Sequence, residues 1–516
     1  MTVTEPATLR QLITRSDNHP ALVVPESGAS LSYAGLQRAL DRAAGRLAEI
    51  GVSDGDRVAL VAANGPALIL AFVAVAARGA AAAPLNPALS VAELAAELDD
   101  LRVSRLLHDG SAAAVEAATV TVPATATATA ANVPASVFGL RDGLLHVDDA
   151  AGTPLEDAGS PEALALLLHT SGTTSKPKTV PIRQRNLIAS TGAVAQTYGL
   201  SGEDVTMCVM PLFHVHGLVA AVLGTLSTGG TVVIPRLRPS VFWDDVAKHG
   251  ATWYTAVPTI HSRLLTRALE LPHKPEHRLR FVRSCSAPLP TVLWRQYEEA
   301  IGVPLVEAYG MTEAAHQMAS NPLPPGERRP GTVGRPTGIE IAALDDDWLP
   351  VPAGAEGEVA VRGPSVVDHY LGNPAATAAS FRDGWFRTGD VGKLSADGYL
   401  TLVGRLKELI NRAGEKISPY EVEDVLLTHP AVAEAAAFPV PDEKYGEQVG
   451  VVVVLRADAG ATPKELAAHC ADRLAAFKRP TRVTILPEIP KGPTGKIQRR
   501  TLADIVADIE AAVAEK

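Results

Sequence analysis

A chain of 516 residues has material for roughly two to four domains with large cores, which excludes a small binding module. With 47% hydrophobic and 20% charged residues it has the composition of a globular protein and not of a disordered chain. Lys and Arg total 47 against 57 Asp and Glu, a net charge of −10, so no basic surface is predicted for nucleic acid or anionic lipid, and a phosphate-bearing ligand must be gripped locally.

In chain order, the N-terminus lacks a basic region followed by an apolar one, so secretion is not expected. A helix with the pattern SYAGLQRALDRAAGRL comes first, then the strand-like RVALVAAN. The apolar run Ala67–Ala77 is about half the length of a bilayer span and is closed by Arg78, so it reads as a buried helix. Residues 116–136 form an Ala/Thr/Pro tract without a period, read as a surface connection. The runs LALLLHT, TVVIP and RFVRSCS alternate with helical periodicity, the signature of an α/β chain with buried parallel strands. IGVPLV reads as a further strand and the segment after it as a loop. Short Gly-punctuated strands follow through 357–372 and 383–405, as in a β-rich subdomain of about 335–404. From Arg405 the pattern changes to a charged stretch, a Ser-Pro-capped helix (SPYEVEDVLLTH), a strand pair (AVAEAAAFPV and QVGVVVVL), another helix and a Lys-rich end. The predicted organisation is an N-terminal domain over 1–404 and a small α+β domain over 405–516. Cys208, Cys285 and Cys470 stand far apart, with no CxxC pair, which fits a reducing, cytoplasmic setting.

Four segments carry chemistry. Thr170-Ser171-Gly172-Thr173-Thr174, continuing to Lys178, follows the LALLLH strand and offers hydroxyls, backbone N–H groups and lysines to polyphosphate oxygens; it does not match GxxxxGK[ST], so it is not a Walker A loop. Glu307-Ala308-Tyr309-Gly310-Met311-Thr312-Glu313 combines a flat face for a base (Tyr309), a residue permitting close backbone approach (Gly310), a phosphate donor (Thr312) and a carboxylate suited to Mg²⁺ (Glu313). Asp390, with Arg405 further on, has the chemistry to take ribose hydroxyls. Lys496 sits in the Gly/Pro-rich loop PKGPTGK. Taken singly, each favours the plainer reading: a polar turn, a core Tyr with a solvated Glu, a turn Asp, or a solvated Lys.

In this order and spacing, the four segments resemble the adenylate-forming superfamily of acyl-CoA synthetases, peptide-synthetase adenylation domains and luciferases, over nearly the whole chain. The resemblance implies an α/β N-terminal domain with a β-rich subdomain and a mobile C-terminal domain, hinged near Lys407. It implies ATP, Mg²⁺ and coenzyme A as reactants or cofactors, and two half-reactions through an acyl-AMP. In that scheme Thr170, Thr312, Glu313 and Lys496 are catalytic, with Glu313 holding Mg²⁺. Residues 170–174 and Lys178 hold phosphates; adenine stacks on Tyr309 and is bounded by Ser286, Ala287 and Pro288, with Glu307, Ala308, Gly310 and Met311 also in the nucleotide site and Thr312 at the α-phosphate; Asp390 and Arg405 take the ribose. Arg412, Ala413, Gly414 and Glu415 face coenzyme A. Ser175 and Thr179 depart from the family pattern, which has glycine at both positions.

The stretches around His214 and His216, around Ser286, and around His316, with ATWYTAVPTIH and LINRAGEKISPYEVEDVLLTHPAV, are similar to the oxalate–CoA ligase branch. That implies a substrate pocket of His214, His216, Ser286 and His316 and a small acid such as oxalate. A short-, medium- or long-chain fatty-acid–CoA ligase stays open as an alternative, as does a stand-alone domain loading a carrier protein. The expected partners are small molecules, without nucleic acid or a membrane span, and the chain is a monomer or homodimer.

Overall fold

The computed structural model describes residues 6–109, 135–137, 140–141, 144–145, 159–170, 177–457, 459–491, 497 and 499–514. The tract at 116–136 lies almost wholly outside them. The architecture is a large α/β N-terminal part followed by a small α+β C-terminal part.

The largest sheet runs in the order Arg335–Pro336, His316–Ser320, Leu305–Met311, Phe281–Ser284, Trp253–Ala256, Val205–Met207, Thr231–Val233, Pro20–Val24, Ala29–Ser32. The strands from Leu305–Met311 to Pro20–Val24 pair parallel, and the flanking pairs are antiparallel. A second sheet, Thr179–Arg183, Leu164–His169, Ala81–Pro84, Arg57–Val61, Arg105–His108, Ala135–Val137, is parallel except for its first pair. Buried strands of this kind read as continuous apolar runs, which is how they were legible in the sequence.

Every residue of helix Pro66–Ala77 is buried. A helix apolar on all sides is stable in water only inside a core, and Pro66 at its first position pre-sets the entering φ. Helix Tyr33–Glu49 starts at Ser32, whose side chain accepts from the Gly35 N–H, and turns Leu36, Leu40, Ala43 and Leu47 inward against it. Each large apolar side chain so buried contributes roughly 1.5–3 kcal/mol.

A third, antiparallel sheet joins Glu340–Leu344, Glu356–Arg362, Trp385–Leu394 and Phe381–Arg382, with Leu400–Arg405 beside Trp385–Leu394. After it, a turn carries Lys407, exposed, into the fourth sheet: Glu415–Ile417, Ile410–Arg412, Gly446–Leu455, Val432–Asp442, with Arg482–Ile485 parallel to Gly446–Leu455. Helix Pro419–Leu427, capped by Ser418 as its Ser-Pro start predicts, packs on Val432–Asp442.

Two sequence readings are corrected. The segment 307–311 is not a loop but most of strand Leu305–Met311, while Ile301 of the supposed strand ends the helix Thr291–Ile301. The chain end is not merely Lys-rich: helix Arg499–Ala514 forms there and also packs on Val432–Asp442.

Candidate active site

The segment 170–178, expected to hold phosphates, joins the antiparallel strands Leu164–His169 and Thr179–Arg183. Its neck is closed by the Thr170 N–H donating to the Lys178 carbonyl at 2.9 Å and by the Lys178 N–H donating to Thr170 Oγ1 at 3.3 Å. Ser171, Gly172, Thr173, Thr174 and Ser175 lie outside the described residues. The Lys178 ammonium lies 4.3 Å from the centre of the Tyr370 ring, and burial lowers its pKa despite the nearby Glu313 carboxylate. Tyr370 in turn donates to Glu313 Oε1 at 2.8 Å. Lys178 and Glu313, read separately from the sequence, thus share one aromatic neighbour.

Sequence reasoning missed the support beneath these strands. His169 contacts Glu97 and lies 3.0 Å from Asp100, both on helix Val91–Leu101. Burial pulls its pKa down, but the two carboxylates outweigh burial and the net shift is upward. Its Nε2 is also 2.9 Å from the Thr179 hydroxyl, so the unusual threonine at 179 serves the base of the loop.

Strand Leu305–Met311 carries the nucleotide-side candidates to the C-terminal edge of the parallel strands, where α/β folds bind ligands. Glu307 is buried; Oε1 accepts from the Leu289 N–H at 2.9 Å, whereas Oε2 has no partner. Burial, with a smaller contribution from Asp424, pushes its pKa up to about 8. Ala308 is buried beside it and Met311 closes the strand. Tyr309 donates its hydroxyl to Asp390, and Asp390 pairs across the strands with Arg405 at 2.9 Å. The three residues expected around a nucleoside are therefore already one hydrogen-bonded unit. A Cβ on Gly310 would stand 2.0 Å from the His316 carbonyl, so the close approach it permits is to the protein's own backbone. Thr312 and Glu313 form a short 3-10 turn directly after the strand.

The acid-side candidates converge from three elements. Ser286, with Ala287 and Pro288 after it, follows strand Phe281–Ser284; His216 opens a π-helical segment, His216–Leu223; His316 opens strand His316–Ser320. Ser286 Oγ lies 3.0 Å from His216 Nδ1, and the imidazoles of His216 and His316 stack with centroids 5.2 Å apart. Ser286 (φ 73°), Ala315 (φ 51°) and His316 (φ 130°) all hold positive φ, a costly geometry for residues with a Cβ and one that gathers at functional sites. Gly217 is required here, because a Cβ would meet the Pro211 carbonyl at 2.4 Å. Burial lowers the pKa of both His216 and His316 well below the usual range, helped at His216 by His316 and Arg283 and at His316 by Arg283, so both rings are neutral. His316 Nε2 and Ser284 Oγ are buried without a partner. His214 is half-buried with its ring 4.7 Å from that of Phe213, and it adds to the lowering of the His216 pKa.

Beneath the trio lies fully buried Arg283, which donates to Tyr198 at 2.8 Å, Thr255 at 3.1 Å and Gln317 at 3.2 Å. Among the described residues no carboxylate pairs with it. A buried cation held only by neutral groups projects an uncompensated positive field on the neighbouring cluster.

Arg412, Ala413, Gly414 and Glu415 make a turn joining Ile410–Arg412 to Glu415–Ile417. Ala413 to Glu415 are exposed, Arg412 covers the Tyr445 ring at 4.2 Å, and Gly414 (φ 93°) has open space around it. Lys496 lies outside the described residues.

The model of the AMP-binding enzyme family matches residues 9–371, and that of the AMP-binding enzyme C-terminal domain matches 421–496. An oxalate–CoA ligase of Arabidopsis thaliana is 46% identical over 485 residues, covering 92% of this chain and 93% of that protein. A sulfoacetate–CoA ligase of Cupriavidus necator is 39% identical over 491 residues, covering 94% of each. Among solved structures, o-succinylbenzoate coenzyme A synthetase (MenE) from Bacillus subtilis, in complex with ATP and magnesium ion, superposes with a TM-score of 0.84 at 30% identity, covering 97% of this chain and 100% of that one.

Proposed function

The chain belongs to the AMP-binding enzyme family, and from that premise we propose that it is an ATP-dependent acid–CoA ligase whose acid is small and carries two anionic groups, oxalate first among them. The observation that carries the reading is the cluster itself: two neutral imidazoles, a strained serine hydroxyl and, among the described residues, a buried guanidinium without a carboxylate partner. Burying a second carboxylate is costly unless donors and positive charge await it. A long acyl chain would need an apolar tunnel instead. The two relatives described above are named for acids with two anionic groups, oxalate and sulfoacetate.

In the first half-reaction an oxygen of one carboxylate attacks the α-phosphorus of ATP in line, the bond to the β-phosphate oxygen breaks, and pyrophosphate leaves. Such a reaction needs little covalent help from the protein; placement and charge stabilisation do most of the work. Lys178 at the neck of the loop and Lys496 supply positive charge toward the phosphates. Thr170 and Thr312 offer hydroxyl donors, and Asp390, with Arg405, takes the ribose beside Tyr309. Ser286, His216 and His316 hold the anionic group that does not react. Glu313, a buried carboxylate steadied on one oxygen by Tyr370, fits the preference of Mg²⁺ for one or two carboxylates plus phosphate oxygens. The ion would supply neutralisation of phosphate charge.

In the second half-reaction the sulfur of coenzyme A attacks the acyl carbon, its proton passes to solvent, and AMP leaves. The Arg412–Glu415 turn is largely exposed and bonded locally, the Gly414 N–H to Asn411 and the Ala413 N–H to the Tyr445 carbonyl, so its service to coenzyme A requires the C-terminal part to rotate about Lys407. Oxalate-dependent pyrophosphate release from ATP and Mg²⁺, followed by conversion of the trapped adenylate to a thioester on adding coenzyme A, tests the reading. Adenylate formation only with monocarboxylic chains would displace it in favour of a fatty-acid ligase.

A further inference from the structure

The hydrogen bonds under the acid pocket have a direction. Arginine can only donate, so at 3.1 Å from Arg283 the Thr255 oxygen is an acceptor and its own proton is free to go elsewhere. The available acceptor is His216 Nε2, 2.6 Å away. Arg283 also points an N–H toward that same nitrogen at 3.5 Å. A proton on Nε2 would face the Arg283 N–H and would leave the Thr255 proton without this acceptor, so the arrangement selects an unprotonated Nε2. A neutral imidazole has one N–H, which must then sit on Nδ1 and donate to Ser286 Oγ at 3.0 Å. Ser286 accepts from the ring and so keeps its own O–H proton for a group outside the network.

We infer that Thr255 and Arg283 are positioning residues which, without touching the acid, fix the tautomer of His216 and thereby present the Ser286 proton as a donor to the unreacting anionic group. The inference rests on the acid-pocket reading above and deepens it. Thr255 and Arg283 are register partners on adjacent parallel strands, and both are fully buried, so their mutual geometry is set by the sheet. His216 neutrality comes from burial and from the neighbouring imidazole and guanidinium, which keeps the ring from offering a second N–H that would clash with Thr255 and Arg283. At the far end the strained backbone of Ser286 holds its hydroxyl at Nδ1 of the ring. His316, stacked on His216 with Nε2 unpartnered, stands ready as a second contact for the same anion.

Two measurements test this. The first uses the full-length wild-type chain with ¹⁵N-labelled histidine, the His216 signal assigned by its loss in H216Q. The relay requires the proton on Nδ1; a proton on Nε2 overturns it whatever acid the enzyme uses. The second compares T255V with T255S. Loss of the Thr255 proton should raise KM for the two-anion acid roughly tenfold, the size of one hydrogen bond to an anion, with KM for ATP changed less than about twofold and kcat little altered. T255S, which keeps the hydroxyl, should restore the wild-type value. An unchanged acid KM in a folded T255V refutes the inference, and if T255V fails to fold the tautomer measurement alone decides. If the wild type adenylates no two-anion acid, the substrate reading fails, and the ¹⁵N result still decides the relay.

Discussion

Replacing Glu307 by Gln gives a quantitative test of the nucleotide side of the site. The carboxyl titrates near 4.5 when exposed and near 8 where the fold buries it with one oxygen unpartnered. The native state therefore holds this proton more tightly than the unfolded chain does. The resulting stabilisation is complete below about pH 4.5 and is lost as pH rises through 8, and between pH 5 and 8 the loss is about 3 kcal/mol. Glu307→Gln mimics the protonated form, keeping a carbonyl oxygen for the Leu289 N–H, and removes the titration. Melting both proteins from pH 5 to pH 8 should show the wild type losing stability relative to E307Q by an amount worth a few degrees in the midpoint for a chain of this size. Other titrating groups cancel in the difference. Parallel profiles for the two proteins would refute the claim that Glu307 is protonated in the folded state at neutral pH.

Further outcomes follow from the site. Asp390→Asn should raise KM for ATP about tenfold or more while leaving KM for the acid nearly unchanged, because it disrupts the Tyr309–Asp390–Arg405 unit; steady-state kinetics with each substrate varied in turn checks the split. Glu313→Gln should shift the Mg²⁺ concentration for half-maximal adenylation upward by about tenfold, and an unchanged Mg²⁺ titration would remove Glu313 from that role. Lys496→Ala should nearly abolish acyl-AMP formation while sparing thioester formation from supplied acyl-AMP; equal loss of both steps would contradict an adenylation role.

Much of this arrangement was legible in the sequence because it is local. The buried run Ala67–Ala77, the apolar parallel strands and the Ser-Pro helix start at 418 each carry their signal within a dozen residues. Strand Leu305–Met311 was hidden because Glu307, Tyr309 and Gly310 break an apolar run, and only the tertiary packing of Gly310 on His316 explains the glycine. The C-terminal helix is hard to read from RTLADIVADIEAAVA, because its apolar spacing is short and follows directly on a Gly/Pro/Lys-rich loop. Network members were the least legible. Thr255 lies in ATWYTAVPTIH but carries no mark of its own, and Glu97, Asp100 and His169 meet only because helix Val91–Leu101 packs beside strands far along the chain. Hydrogen-bond partners across strands depend on register, which a single sequence does not spell out.

The most direct test of the central claim is coenzyme-A-dependent AMP release with ATP and Mg²⁺ over oxalate, malonate, sulfoacetate, acetate, hexanoate, palmitate and coumarate, with the thioester identified by mass. The account predicts kcat/KM for oxalate or another two-anion acid at least about a hundredfold above every monocarboxylate, since each lost contact to a buried polar group costs about tenfold or more. Equal or higher efficiency with hexanoate, palmitate or coumarate would contradict it, showing that His216, Ser286 and His316 do not read a second anionic group.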